Sequence, residues 1–245
     1  MNPTLIMVIG LGVLSIASGM LGLGVAFSAV PFLALFLPDL VHQVQPLSLL
    51  LNGITALFAV FGFAKSGFVD WRKAITLSVI TTLTAPFGAW IVQYTPVMIV
   101  WIAYLASVIY LAYRLFRPVM ERPGEENFKL AMILAVPISV LSGLLGIGPG
   151  FLLMPTSILV GFPAKQAAGI NAFAVMPPSF SSLIPHMATA RFDLHLTAAL
   201  LLVGAIGSFL GARLTSLYVP SGWIKQGFGI LIVVMTAYKI YTLVM

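Results

Sequence analysis

The heptapeptide Ser18-Gly19-Met20-Leu21-Gly22-Leu23-Gly24 is written twice in this chain, returning as Ser142-Gly143-Leu144-Leu145-Gly146-Ile147-Gly148. A proline follows seven residues after the last glycine of each copy, Pro31 and Pro155, with Phe27 matching Phe151 between them. The offset is 124 residues at the motif and 123 further on, where Ser48 aligns with Asn171, Asp70 with Asp193, and Gly88-Ala89 with Gly211-Ala212. One residue of slippage over half a chain marks a duplication. The period is too long for a solenoid array. Two copies of one unit in a hydrophobic chain are a common plan of secondary transporters.

Composition decides the medium. Of 245 residues 60% are hydrophobic and only 7% charged, with a mean hydropathy of +1.11. A soluble domain of this size needs a charged surface that the chain cannot supply. No charge occurs from Met1 to Pro38 or from Ala74 to Tyr113. A span takes roughly 20 apolar residues, so the second run holds two, divided at Gln93-Tyr94-Thr95-Pro96. The expectation is an all-α polytopic membrane protein in the lipid bilayer. The apolar run starts without a basic region, which reads as a first membrane segment and not a cleaved signal. The absence of cysteine excludes disulfides and thiolate metal sites; no cofactor or metal is expected. The formal charge of +6 sits at loops and suits anionic head groups, not nucleic acid.

Each half reads as a glycine-broken helix hairpin plus three transmembrane helices. In the first half the run 4–37 is split at the motif into two pieces, both too short for a comfortable span. Spans follow over about 46–64, 70–93 and 96–113. The second half repeats the order over 128–159, 166–186, 194–218 and 223–244. The domain division is 1–117 for the N-terminal repeat, 118–128 for a cytoplasmic linker and 129–245 for the C-terminal repeat. A hairpin adds an even number of crossings, so three further spans make each half odd and the repeats inverted. A single broken helix in its place makes them parallel. With the linker in the cytoplasm, inverted repeats place ten of the twelve Lys and Arg residues on that side, and parallel repeats nine. The bias favours inversion.

Three glycines in seven residues weaken a helix by roughly 1 kcal/mol each relative to alanine. At mid-membrane they let the backbone turn back, and the next piece then starts with its N-terminus inside the membrane. A helix start carries unpaired N–H donors and about half a positive charge, an anion site without a basic side chain. This points to Gly22, Gly24, Gly146, Gly148 and Gly150. The competing reading is that these are small residues for close helix packing. A nucleotide-binding loop is excluded, because no strand precedes the motif and no Lys-Ser/Thr pair follows it.

Polar residues within spans are few and therefore informative. Ser48 and Asn52 lie one turn apart on a shared face, and Asn171 takes the place of Ser48 in the other half. They are candidate donors to an oxyanion, or else interhelical hydrogen-bonding groups. Ser179, Ser181 and Ser182, after Pro177-Pro178, are expected to bond carbonyls freed by proline. His186 is a possible proton relay, although a histidine at a span end is ordinary. Asp70 and Asp193 each precede an apolar helix and read as N-caps, not coupling groups.

With these residues in view, the chain resembles the sulfite exporter TauE/SafE family, also called the toluene-sulfonate uptake permease family. The resemblance rests on the paired Ser-Gly-x-x-Gly-x-Gly motifs with Pro31 and Pro155, on Gly67-Phe68-Val69-Asp70-Trp71 opening a span, and on Gly88 and Gly211. It implies a prokaryotic inner-membrane permease exporting sulfite, organosulfonates or related sulfur-containing anions. Its site would involve Gly22, Gly24, Gly146 and Gly148, with Ser48 and Asn171 beyond each hairpin. One departure is that Gly148-Pro149-Gly150 faces Gly24-Val25-Ala26, so the two half-sites are not equivalent. The chain reads as a transporter and not an enzyme. An anion channel with the same site is the alternative. An intramembrane hydrolase built on Ser181 or Ser182 with His186 is disfavoured by Pro185 between them and by the lack of an oxyanion-hole motif. A homo-oligomer is left open.

Overall fold

The structure is a computed structural model that describes residues 3–115 and 126–220. Residues 118–125 of the predicted linker and the last predicted span, 223–244, lie outside these residues. The described residues are helical, without strands. Nine α-helices follow in order: α1 (Pro3–Leu21), α2 (Ala26–Leu33), α3 (Gln45–Ala64), α4 (Trp71–Ile91), α5 (Val97–Leu115), α6 (Phe128–Leu145), α7 (Gly150–Leu159), α8 (Ala164–Leu183) and α9 (Leu194–Tyr218). A π-helical turn, Leu40–Val44, leads into α3, and 3-10 turns extend α4 and α8 to Tyr94 and His186. Six of these segments are long and apolar enough to cross a membrane: α1, α3, α4, α6, α8 and α9, with their extensions. The chain is a multi-pass α-helical membrane protein.

The glycine motif does break both expected segments, but not into two short pieces. The first pieces, α1 and α6, have 19 and 18 residues and are of spanning length; only α2 and α7, with 8 and 10, are short. The reason lies in the division of labour among the glycines. Gly19 and Gly143 stay helical, so each helix runs on to the second glycine. Gly22, Gly24, Gly146 and Gly148 take φ of 64°, 69°, 67° and 70°, a left-handed conformation that costs an L-residue roughly 1–2 kcal/mol.

Gly19 and Gly143 serve the packing role instead. A Cβ at Gly143 would strike the Ala85 carbonyl of α4, and one at Gly88 the Val140 carbonyl of α6. The other half repeats this pairing: Gly19 lies on Ser208 of α9, and Gly211 on the Ile16 carbonyl of α1. Each half therefore packs its first helix against the fourth helix of the other half. Small residues permit that backbone approach, as they do in membrane helix pairs generally. The core is shared between the halves: α3 and α8 pack on each other, and each also packs on the other half's fourth helix.

The contact registers give directions. On α3 and α9, Thr55 meets Gly204 and Gly62 meets Ala212, so the two run parallel. Gly12 with Val203 and Gly19 with Ser208 make α1 parallel to α9 as well. Trp71 with Phe173, Thr82 with Ser181 and Gln93 with His186 make α4 parallel to α8. Since α3 turns into α4 over a short loop, α3 and α8 oppose each other. The Arg191 N–H just beyond α8 accordingly donates to the His42 carbonyl at the entry to α3, at 2.8 Å.

Two of the prolines within helices are met by donors from across the fold, because a freed carbonyl in lipid must find one. Pro86 frees the Thr82 carbonyl, which accepts from Ser181 Oγ of α8 at 2.9 Å. Pro178 frees the Ala174 carbonyl, which accepts from Thr81 Oγ1 of α4 at 3.0 Å. Thus α4 and α8 satisfy each other's broken ladders.

Candidate functional site

Halfway along α3 the face Ser48, Asn52 and Thr55 is fully buried. Both glycine turns reach it. A Cβ at Gly24 and one at Gly148 would each collide with the Asn52 amide, so the side chain of Asn52 sits between the two turns. The turns also rest on the opposite halves: Gly22 abuts the Ala168 backbone of α8, and Gly146 abuts Gln45 at the start of α3. The short helices α2 and α7 start here, and their second residues, Phe27 and Phe151, stack with centroids 4.3 Å apart and planes at 10°. The repeat-matched phenylalanines thus touch each other at the centre of the molecule.

Here the two halves diverge. At the start of α2, the Ala26 N–H donates to Asn52 Oδ1 at 2.9 Å and the Val25 N–H to Thr55 Oγ1 at 3.1 Å. Ser28 Oγ donates to the Val25 carbonyl at 3.0 Å. The donors of α2 are therefore closed by side chains of α3. The positions of α8 that correspond to Asn52 and Thr55 are Val175 and Pro178, and neither side chain accepts a hydrogen bond. Consequently Gly150, which opens α7, receives no acceptor from α8 among the described residues. Val175 Cγ2 and Asn171 Nδ2 lie 2.5 and 2.9 Å from where a Gly150 Cβ would stand, so only glycine fits.

The expected site residues fall into three groups. Gly22, Gly24, Gly146, Gly148 and Gly150 form the turns and the α7 start. Asn52 is committed to structure: besides capping α2 it donates from Nδ2 to Ser179 Oγ at 2.8 Å. Ser48 and Asn171 retain unused polar capacity. Asn171 Nδ2 donates to the Gly22 carbonyl at 2.6 Å, which fixes the amide and leaves Oδ1 buried and unpartnered. The Ser48 hydroxyl is likewise buried and unpartnered. Unsatisfied buried groups of this kind are rare and call for an explanation.

His186 is away from this centre. It is buried at the end of α8, where Gln93 Nε2 lies 2.9 Å from its Nδ1. Ser181 bonds the Thr82 and Pro178 carbonyls and Ser179 the Val175 carbonyl. The carbonyl freed by Pro178, that of Ala174, is instead taken by Thr81 of α4, so these serines do not bond the carbonyls that Pro177-Pro178 free. Asp70 and Asp193 are N-caps, accepting from the Lys73 N–H at 3.2 Å and from the His195 and Leu196 N–H groups at 3.0 and 3.1 Å. Asp39 caps the π-helical turn in the same way. The His42 N–H and ring hold its carboxyl below the usual range, although burial works in the opposite direction. Thr55 and Gln93 were not singled out from the sequence. The spacing 48, 52, 55 is the signal that exposes Thr55, since those positions share one helical face.

No solved structure matches the chain. The sulfite exporter TauE/SafE family model matches residues 6–239. A probable membrane transporter protein of Xylella fastidiosa is 29% identical, with 97% of this chain and 95% of the relative covered. Another, from Methanocaldococcus jannaschii, is 25% identical over 75% of this chain and 72% of its own length. The YdhB protein of Bacillus subtilis, also a probable membrane transporter, is 23% identical over 83% and 87%. The duplicated turn, the helical membrane architecture and a match along nearly the whole chain lead to one assignment: this protein belongs to the sulfite exporter TauE/SafE family of membrane transporters.

Proposed function

We propose that the protein exports sulfite, an organosulfonate or a related sulfur-containing anion across the inner membrane of a prokaryote. The observation that carries the proposal is the start of α7 at Gly150, with Asn171 beside it and with Asn171 Oδ1 and the Ser48 hydroxyl both buried and unpartnered. The α7 start supplies the Gly150 N–H and the positive end of a helix dipole to an oxyanion. Ser48 adds a hydroxyl donor. Asn171 Oδ1 is an acceptor and suits a ligand that bears its own proton, such as hydrogen sulfite. Among the described residues no acidic side chain is buried at this centre to repel an anion.

The arrangement of the halves supports transport by alternating access. We read them as inverted repeats, supported by the opposed directions of α3 and α8 and by the cross-packing of α1 on α9 and α6 on α4. In such repeats a site at the interface of the halves is exposed to one side and then the other by rocking of one half on its partner. Ser48, Asn52 and Asn171 are all within 1% of complete burial. That burial favours a carrier with an occluded state over an open channel.

The test is flux from proteoliposomes loaded with sulfite, sulfate or methanesulfonate, comparing wild type with Ser48→Ala and Val175→Asn, which leave the glycine turns in place. The expected result is saturable efflux of sulfite whose half-saturating concentration rises in both variants. Flux that rises linearly without saturation rejects the carrier. Unchanged half-saturation in both variants rejects the site at the glycine turns.

A further inference from the structure

The outer face shared by α3 and α9 carries a groove that transport does not explain. Its open volume is about 390 Å³, and Phe58, Phe61, Ile206, Phe209 and Leu210 line it together with Lys65. On α3 the order is Phe58, Phe61, Lys65; on α9 it is Ile206, Phe209, Leu210, then Arg213. These spacings keep each set on one helical face. Because the two helices run parallel, both rows start apolar and end in a cation at the same end. Lys65 is exposed and its Nζ lies 5.6 Å from the Phe209 ring centroid. Arg213 Nη1 donates to Ser66 Oγ at 3.3 Å. Neither cation pairs with a carboxylate among the described residues.

A cation at the rim of an apolar trough, with a second cation one turn further along α9 beside Ser66, matches one kind of occupant. We propose that this groove is a binding site for an anionic glycerophospholipid, its phosphate held by Lys65 and Arg213 and an acyl chain lying along Phe58, Phe61 and Ile206. Basic pockets between membrane helices take anionic head groups in this manner. The duplication provides an internal control. The corresponding face on α8 and α4 has Ser181 in place of Phe58, Ala188 in place of Lys65 and Trp90 in place of Arg213, so it lacks both cations. Of these two faces, the lipid site belongs to the one where α3 ends. It is independent of the anion transported.

The experiment is native mass spectrometry of the full chain in detergent with palmitoyl-oleoyl phosphatidylglycerol or phosphatidylcholine, alongside the Lys65→Ala/Arg213→Ala double variant. Wild type is expected to retain phosphatidylglycerol over phosphatidylcholine, and the double variant to lose that retention by roughly thirty-fold. Lys65→Gln, which keeps most of the side-chain stem, should show an intermediate loss, and it stands in if the double variant does not fold. Glycerol phosphate at the same concentration should not compete, because it lacks the chains. Equal retention of the two lipids, unchanged retention in the variants, or displacement by glycerol phosphate overturns the proposal. Failure of sulfite flux would leave these outcomes unaffected.

Discussion

The starts of α2 and α7 descend from the same sequence and have come to do different things. Both follow two left-handed glycines with nearly equal φ, and both end at the Phe27–Phe151 stack. At α2 the amides of Val25 and Ala26 are taken by Thr55 and Asn52. At α7 the corresponding side chains are Val175 and Pro178, while Pro149 has no amide to satisfy and Gly150 no side chain to stand in the way. The two starts therefore differ in their donors: side chains of α3 take both amides at α2, and Gly150 meets no acceptor from α8 among the described residues. On the proposed reading, that difference decides which of the two turns holds the anion.

The largest expected effect breaks the turns themselves. Gly148→Ala puts a methyl group into the Asn52 amide and forces an alanine into a left-handed conformation, with an expected loss of about 3 kcal/mol or more. Gly67→Ala is its control: φ there is +74° but nothing lies within 4 Å of the added Cβ, so only the backbone cost of about 1 kcal/mol remains. Thermal unfolding in detergent should rank the two in that order, and equal losses would show that Asn52 yields easily.

Next comes the cap. Asn52→Leu orphans the Ala26 amide and the Ser179 contact, an expected cost of about 2–3 kcal/mol. Thermal unfolding reads this directly. A loss under about 0.5 kcal/mol would mean that α2 and α7 are equally open, and the comparison would fail.

Closing α7 is the converse change. Val175→Asn places an amide acceptor where Asn52 stands in the other half, and it should compete with the substrate for the Gly150 donor. A rise in the half-saturating sulfite concentration of about tenfold is expected, with efflux at saturation retained. Unchanged half-saturation would move the anion away from the α7 start. Ser48→Ala, by contrast, removes a hydroxyl that has no partner in this conformation. Stability should change by less than about 0.5 kcal/mol while sulfite affinity falls, so a clear stability loss with intact affinity would return Ser48 to a packing role.

The smallest effect lies at the entry to α3, where Asp39 caps a turn and the corresponding start of α8 has only Pro163. Asp39→Asn should cost on the order of 0.5 kcal/mol near neutral pH. The sign follows from a carboxyl held below its ordinary value of 3.8 in the folded protein. Its stabilisation is present above that value and fades as pH falls through the lowered one. Wild type and variant should therefore converge in strong acid, and a difference that grows with acidity would contradict the assignment.

The spans over about 46–64, 70–93, 166–186 and 194–218 were legible in the residues, because hydrophobic run length is a local signal. The N-caps were too: Asp70 and Asp193 are aspartates directly before apolar helices, and no distant partner is needed to make them caps. The role of each glycine within the motif was not legible. Gly19 packs and Gly22 turns, yet both are glycine in a glycine-rich run; the difference is the Ser208 backbone against one and the Ala168 backbone against the other. Nor could sequence separate Asn52 from Ser48, which share a face. Asn52 is consumed by the Ala26 amide and Ser179, 26 and 127 residues away in the chain, while Ser48 is left without a partner. Local chemistry determined which groups exist and where the chain bends. Which of those groups remains unpaired depends on partners that only the packing of one half into the other brings within hydrogen-bond reach.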